Sequence, residues 1–171
     1  THQGLTDFGK RVIGEMNRLG IMIDISHVSD DAFYQALQVT KVPTIASHSS
    51  CRAFTPGFER NVDDAMLKKL AENGGVLMIN FGSTFISKNA RDYSDARWAA
   101  IDAFKASKKP EPTDEEIKAF KSAYKAKHPF PFATVSVVAD HIDHVVKTVG
   151  IDYVGLGSDF DGVGDSRPSK L

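Results

Sequence analysis

His27, His48 and Asp159 are the residues of this chain whose types and positions are best suited to chemistry. Each stands at or just past the end of an apolar, strand-like run. The runs are Ile21-Met22-Ile23-Asp24-Ile25-Ser26-His27, Pro43-Thr44-Ile45-Ala46-Ser47-His48 and Tyr153-Val154-Gly155-Leu156-Gly157-Ser158-Asp159. Parallel α/β barrels build their active sites at the C-terminal ends of strands. A neutral imidazole offers a metal one lone pair. A single strand-end histidine more often caps a helix or bonds a backbone carbonyl. Two of them on adjacent strands, about 5 Å apart, can converge on one ion at Zn–N distances of about 2.0–2.1 Å. A carboxylate beside a metal-activated water can take its proton and pass it to a leaving amine. Asp159 has that chemistry available, or else it caps a turn. The pattern points to a metal-dependent hydrolase.

Other candidates are weaker. Arg60 follows the irregular stretch Phe54-Thr55-Pro56-Gly57-Phe58-Glu59. It suits a bidentate clamp on a substrate carboxylate and equally suits a solvated surface. Asp159-x-Asp161 is not a calcium loop, because Val163 and Lys170 stand where such a loop needs an oxygen ligand and a Glu. His141-Ile142-Asp143-His144 contains His-x-Asp, but lies within an expected helix, where alternate residues diverge. A structural role is expected for it. The chain lacks a G-x-S-x-G elbow. Ser47, His48 and Ser49 should alternate faces on a continuing strand, which leaves His48 unable to activate either serine. Cys51 is expected to be a packing residue.

Helix and strand signals alternate along the chain. Thr6 reads as an N-cap for a helix closed by Gly20, and Ser29 as the cap of a helix over 30–39. Strands are expected at 21–27, 43–48, 75–81 and 152–157, with helices at 63–73 and 134–149. The continuous apolar run at 75–81 predicts burial on both faces. Residues 88–133 are Lys-rich and punctuated by proline, and read as an insertion of two helices over 93–107 and 113–127, the latter opened by a Thr113–Glu116 capping box. Leaving from a strand's C-terminal end, the insertion falls on the active-site side, as a lid or an oligomer contact. Alternating helix and buried strand predicts a parallel α/β sheet. Four strands are half of an eight-stranded barrel, and Leu171 comes before the helix that should cover the last one. The expectation is one partial barrel domain over 1–171, a piece of a larger protein.

Bulk composition is ordinary. The 171 residues, 42% hydrophobic and 25% charged, suffice for one domain with a substantial core. A net charge of −1 gives no reason to expect nucleic acid or an anionic membrane as partner. One cysteine excludes an internal disulfide framework. No run approaches the roughly 20 apolar residues that span a bilayer. The chain opens on Thr1 without a signal peptide, as a processed or trimmed product would.

Several motifs in order carry a resemblance: Leu5-Thr6-x-Phe8-Gly9, Glu15-Met16-Asn17-Arg18-Leu19-Gly20, Ile23-Asp24-Ile25-Ser26-His27-Val28-Ser29, Ser47-His48-Ser49, Arg60-Asn61-Val62-x-Asp64 and Gly155-x-Gly157-Ser158-Asp159-Phe160-Asp161-Gly162. Outside the Lys-rich insertion, the chain resembles the membrane dipeptidase (renal dipeptidase) family of zinc peptidases. The resemblance implies the C-terminal half of a (β/α)₈ TIM barrel, its first half and last helix absent, with two Zn2+ per complete site. It implies cleavage of dipeptides, often with a D-residue on the C-terminal side. By motif, His27 and His48 match the histidines of one zinc, Asp159 the proton-handling aspartate, and Arg60 the clamp on the substrate's carboxylate. The family's His-x-Asp, bridging Glu and further substrate-binding His have no match here. The chain is therefore expected to carry half a site, to need a missing N-terminal half-barrel, and to be inactive alone. A homodimer is compatible with this, and the resemblance favours a periplasmic, secreted or membrane-associated setting over a cytoplasmic one. The alternatives are a non-catalytic half-barrel that binds or assembles with a partner, and another amidohydrolase-type metal hydrolase.

Overall fold

The fold, a computed structural model, describes residues 3–168, so Lys170 and Leu171 lie outside the described part. Its centre is a parallel sheet of β1 (Ile45–Ser49), β2 (Val76–Ile79) and β3 (Val154–Leu156), in the order β1-β2-β3. Around it run α1 (Asp7–Leu19), α2 (Asp30–Val39), α3 (Asp64–Glu72), α4 (Ser83–Ile86), α5 (Lys88–Ser107), α6 (Asp114–Lys127) and α7 (Val135–Val149). The helix starts follow from local chemistry. Thr6, Ser29 and Asp63 each accept a backbone N–H from the first turn of α1, α2 and α3, satisfying donors that a helix leaves unpaired. Thr113 and Glu116 form the expected reciprocal capping box. Gly20 ends α1 at φ 72°, a left-handed conformation that glycine adopts without penalty.

The core lies between the sheet and its helices. Phe33, Leu67, Leu70, Leu77, Ile79, Ile86 and Val145 are buried there. Within the insertion, α5 and α6 pack through the stacked rings of Phe104 and Phe120.

Three expectations need correction. The run 21–27 is not a full strand. It makes one parallel bridge, Asp24 to Ile45, with Ile25 N–H donating to Ile45 O at 2.8 Å and Ile45 N–H to Ile23 O at 3.0 Å. The ladder stops because the Asp24 carboxylate takes the N–H groups of Ser26 and Ser47, and because the backbone turns left-handed at His27. Second, β2 is not equally buried on its two faces: Leu77 and Ile79 are fully buried, while Val76 and Met78 are half-buried. Third, the helix expected over 93–107 begins at Lys88, directly after α4. Ion pairs from Lys88 to Asp92 and from Arg91 to Asp95, each four residues apart, support the added turn.

His141 has the structural role expected of it. It is fully buried on α7. Its Nδ1 accepts the Cys51 N–H at 3.1 Å, and its Nε2–H donates to Ile86 O at 3.0 Å. Cys51 is likewise buried, and burial pushes its thiol up to about 12. Burial, aided by the neighbouring His144, holds His141 down at about 4 against an ordinary 6.5. A proton on Nδ1 would face the Cys51 N–H. The folded state therefore resists protonation that the unfolded chain accepts. This stability is complete above the unfolded value and drains away as pH falls towards the folded one. The chain should lose about 2 kcal/mol between pH 7 and pH 5 from this group. Urea midpoints at both pH values check this, and His141→Gln should flatten the dependence. An equal slope in the variant would remove His141 as the cause.

Candidate functional site

The C-terminal ends of the strands gather the expected trio. His27 follows the Asp24 bridge at φ 70°, and Asp159 follows β3 at φ 56°. They are the non-glycine residues with left-handed φ among the described residues. Backbone strain of this kind, costing on the order of 1–3 kcal/mol each, concentrates at functional sites. His48 sits on β1, where the register against β2 slips between Ala46 and Ser49. This irregularity re-aims the side chain, as bulges beside active sites do. The Nε2 atoms of His27 and His48 face each other at 2.9 Å.

The same irregularity overturns the expectation that His48 and Ser47 point apart. His48 Nδ1 lies 2.7 Å from Ser47 Oγ, which lies 2.5 Å from Asp24 Oδ2. Burial raises the Asp24 pKa, but the Ser47 hydroxyl and the N–H groups of Ser26 and Ser47 outweigh it, and the net shift is downward. An ionised carboxylate only accepts. The Ser47 hydroxyl proton is thus committed to Asp24, and Ser47 accepts from His48 Nδ1–H. This fixes the His48 tautomer with its lone pair on Nε2, directed at His27. Ser47 is a relay and not a nucleophile.

Arg60 is held by a rigid loop. Buried Asn61 accepts the Ser50 N–H at 3.1 Å and donates to Thr55 Oγ1 at 2.7 Å and Phe85 O at 2.6 Å. Arg52 braces the same loop, pairing with Asp30 at 2.6 Å and donating to Glu59 O. Arg60 then donates to Ser49 Oγ at 2.6 Å and His48 O at 2.7 Å, with its guanidinium carbon 5.6 Å from the Phe85 ring centre. Its buried Nε has no partner among the described residues. Burial lowers the Arg60 pKa against the pull of Asp159 and Asp24. A half-buried cation with unused donors is arranged to receive an anion.

Asp159 Oδ2 accepts from Asn80 Nδ2 at 2.9 Å, and Asn80 is itself fixed because its Oδ1 accepts the Gly82 N–H at 2.6 Å. A side chain at Gly162 would press on the Asp159 carboxylate, its Cβ coming within 2.1 Å of Oδ1. Asp159 is hydrogen-bonded to none of the other three residues, but its charge acts on His27 and Arg60. Burial, then Arg60 and His48, lower the His27 pKa, while Asp159 and Asp24 oppose the shift. His27 is therefore neutral at neutral pH, as a ligand must be.

Sequence reasoning missed Asp24, Ser47 and Asn80 as members of this cluster. Asp24 was readable as a charge inside an apolar run. Asn80, at the end of the β2 run, had no signal beyond its position.

The donor set fits a zinc-type ion. At 2.9 Å the two nitrogens are at hydrogen-bond distance, with His27 Nε2–H donating to the His48 lone pair; exchange of that proton for a cation would let both nitrogens face one ion. A carboxylate acting on the far ring nitrogen is the usual arrangement behind a metal-bound imidazole. Among the described residues, no group of three or more His, Cys, Asp or Glu is placed to hold a metal. The two imidazoles alone offer two nitrogens, fewer than the three or four protein ligands of a zinc site.

Strand-end histidines, an oriented carboxylate and a half-buried arginine stand at the end of a parallel α/β sheet where barrel enzymes place their sites. The family described as membrane dipeptidase, peptidase family M19, matches residues 1–169, and the chain belongs to it. Uncharacterized dipeptidase C965.12 of Schizosaccharomyces pombe is 39% identical over 161 residues, covering 94% of this chain and 29% of that protein. Dipeptidase 3 of Mus musculus is 32% identical over 161 residues, covering 94% of this chain and 24% of its own length. A crystal structure of a metallo peptidase from Rhodobacter sphaeroides, liganded with a phosphinate mimic of the dipeptide L-Ala-D-Ala, superposes with a TM-score of 0.69. It is 28% identical, and the match covers 99% of this chain and 37% of that one. The chain thus spans under a third of the curated relatives it matches.

Proposed function

We propose that this chain supplies part of a zinc dipeptidase site, in which His27 and His48 hold one metal ion, Asp159 handles the proton of the attacking water, and Arg60 binds the substrate's C-terminal carboxylate. The observation that carries the reading is the pair of Nε2 atoms at 2.9 Å, with the His48 tautomer set by Ser47 and Asp24. Zinc, when bound, polarises the scissile carbonyl and makes water a nucleophile near neutral pH. Asp159 takes the water's proton on its carboxylate and delivers it to the leaving amine. Asn80 keeps that carboxylate aimed. Arg60 sets the peptide bond by its far end.

The remaining ligands come, in this reading, from further strands that complete a (β/α)₈ barrel. Three features support it: parallel strands in sequential order, site residues at one end, and exposed apolar side chains at both sheet edges. Ile21 and Met22 are 49% and 61% exposed on one side, and Leu156 is 63% exposed on the other. Family membership favours a dipeptidase over a non-catalytic half-barrel or another amidohydrolase. The phosphinate mimic bound by the Rhodobacter relative supports a D-residue on the C-terminal side.

Arg60 provides the test of substrate class. In the full-length protein, Arg60→Met should raise KM for L-Ala-D-Ala by about 10- to 100-fold, the worth of hydrogen bonds to a charged group. The wild type should prefer the free acid over its amide by a similar factor, and the variant should lose that preference. An unchanged preference would remove Arg60 from carboxylate binding, and absence of dipeptide hydrolysis by the wild type would overturn the proposal.

A further inference from the structure

A cavity lies between the insertion and the segments that carry Thr84 and Val163. It measures about 280 Å³ and is lined by Tyr93, Arg97, Lys125, Phe130, Phe132 and Val163, among others. That is just under the roughly 300–1,000 Å³ of pockets for drug-sized ligands, so its occupant would be a smaller molecule. Its apolar wall is a chain of edge-on rings, Tyr93 to Phe130 at 5.2 Å and Phe130 to Phe132 at 4.8 Å. Phe132 stays 48% exposed there.

The cations are the second observation. On the same helix, Lys88 and Arg91 are paired with Asp92 and Asp95. Arg97 and Lys125 have no ion-pair partner among the described residues, yet both line the cavity. No acidic side chain stands among the described lining residues. A ligand's carboxylate would meet a guanidinium fork and an ammonium, while a ligand's own ammonium would meet like charge from the described lining residues. Val163 links it to the histidine cluster, its N–H donating to Asp159 O at 2.9 Å.

We propose that this cavity binds a small monocarboxylate with one aromatic ring, or an apolar body of that size, and no ammonium group. The aromatic wall takes the ring, edge or face, and Arg97 and Lys125 take the carboxylate. None of the residues assigned to dipeptide cleavage is among its described lining residues.

Titration of the 15N-labelled full-length protein with 3-phenylpropionate tests this by NMR. Saturable shifts are expected at Tyr93, Arg97, Lys125 and Phe130. Arg97→Gln, at a half-buried position, or Lys125→Gln, at an exposed one, should weaken binding by about tenfold. The neutral alcohol 3-phenylpropan-1-ol, acetate and phenylalanine should each bind at least about tenfold more weakly, since each lacks the ring, the charge or the freedom from like-charge repulsion. Equal binding of the alcohol or of acetate would overturn the proposal, as would unchanged affinity in both variants. Equal binding of phenylalanine would overturn the exclusion of ammonium ligands.

Discussion

Asp159→Asn should lower kcat for dipeptide hydrolysis in the full-length protein by about 10²- to 10⁴-fold, with little change in KM. That range is the usual contribution of a positioned general base or acid. The substitution keeps the side chain's shape, so the hydrogen bond with Asn80 can re-form through the amide oxygen. The backbone is not disturbed either, since Asn is among the residues that tolerate the left-handed φ of 56° found here. What is lost is the ability to hold a proton. Because Asp159 is not part of the proposed histidine pair, metal content should be unchanged. An unaltered kcat would take the proton-handling role from Asp159. A parallel loss of metal would instead make it a ligand.

His48→Ala should be at least as damaging, costing roughly 10³-fold or more in kcat/KM, which corresponds to about 4 kcal/mol of barrier. The variant removes one of two facing nitrogens and leaves Ser47 and Asp24 with nothing to orient. It should leave the fold standing, because His48 is half-exposed and the core lies on the other face of the sheet. Circular dichroism matched to wild type, together with the lost activity, would separate a site defect from unfolding. Retained activity would show that His27 and His48 do not act as a pair.

The sequence exposed the strand ends more clearly than the strands. His48 and Asp159 were placed by apolar runs that β1 and β3 match, because burial against helices leaves a period that can be read directly. His27 was placed correctly on a run that is mostly not a strand. Its position depends on a carboxylate inside that run taking backbone N–H groups, a side-chain competition that periodicity does not reveal. The left-handed φ at His27 and Asp159 was unreadable for the same reason, since neither residue is the glycine that usually marks it. The Ser47–His48 contact was misjudged because a register slip in β1 breaks the alternation of faces. Asp24, Ser47 and Asn80 became visible only once the strands were side by side. The glycines are explained by the same geometry: a side chain at Gly157 would place its Cβ 1.9 Å from Ser47 O, across the sheet from its own strand.

The central claim, that His27 and His48 together hold one metal ion of a two-metal dipeptidase site, is tested most directly by counting zinc. The full-length protein and its His27→Ala and His48→Ala variants would be purified with zinc present, exchanged into metal-free buffer, and analysed by mass spectrometry of the metal. Two zinc ions per chain are expected for wild type and one for each variant. Two retained by both variants would contradict the account.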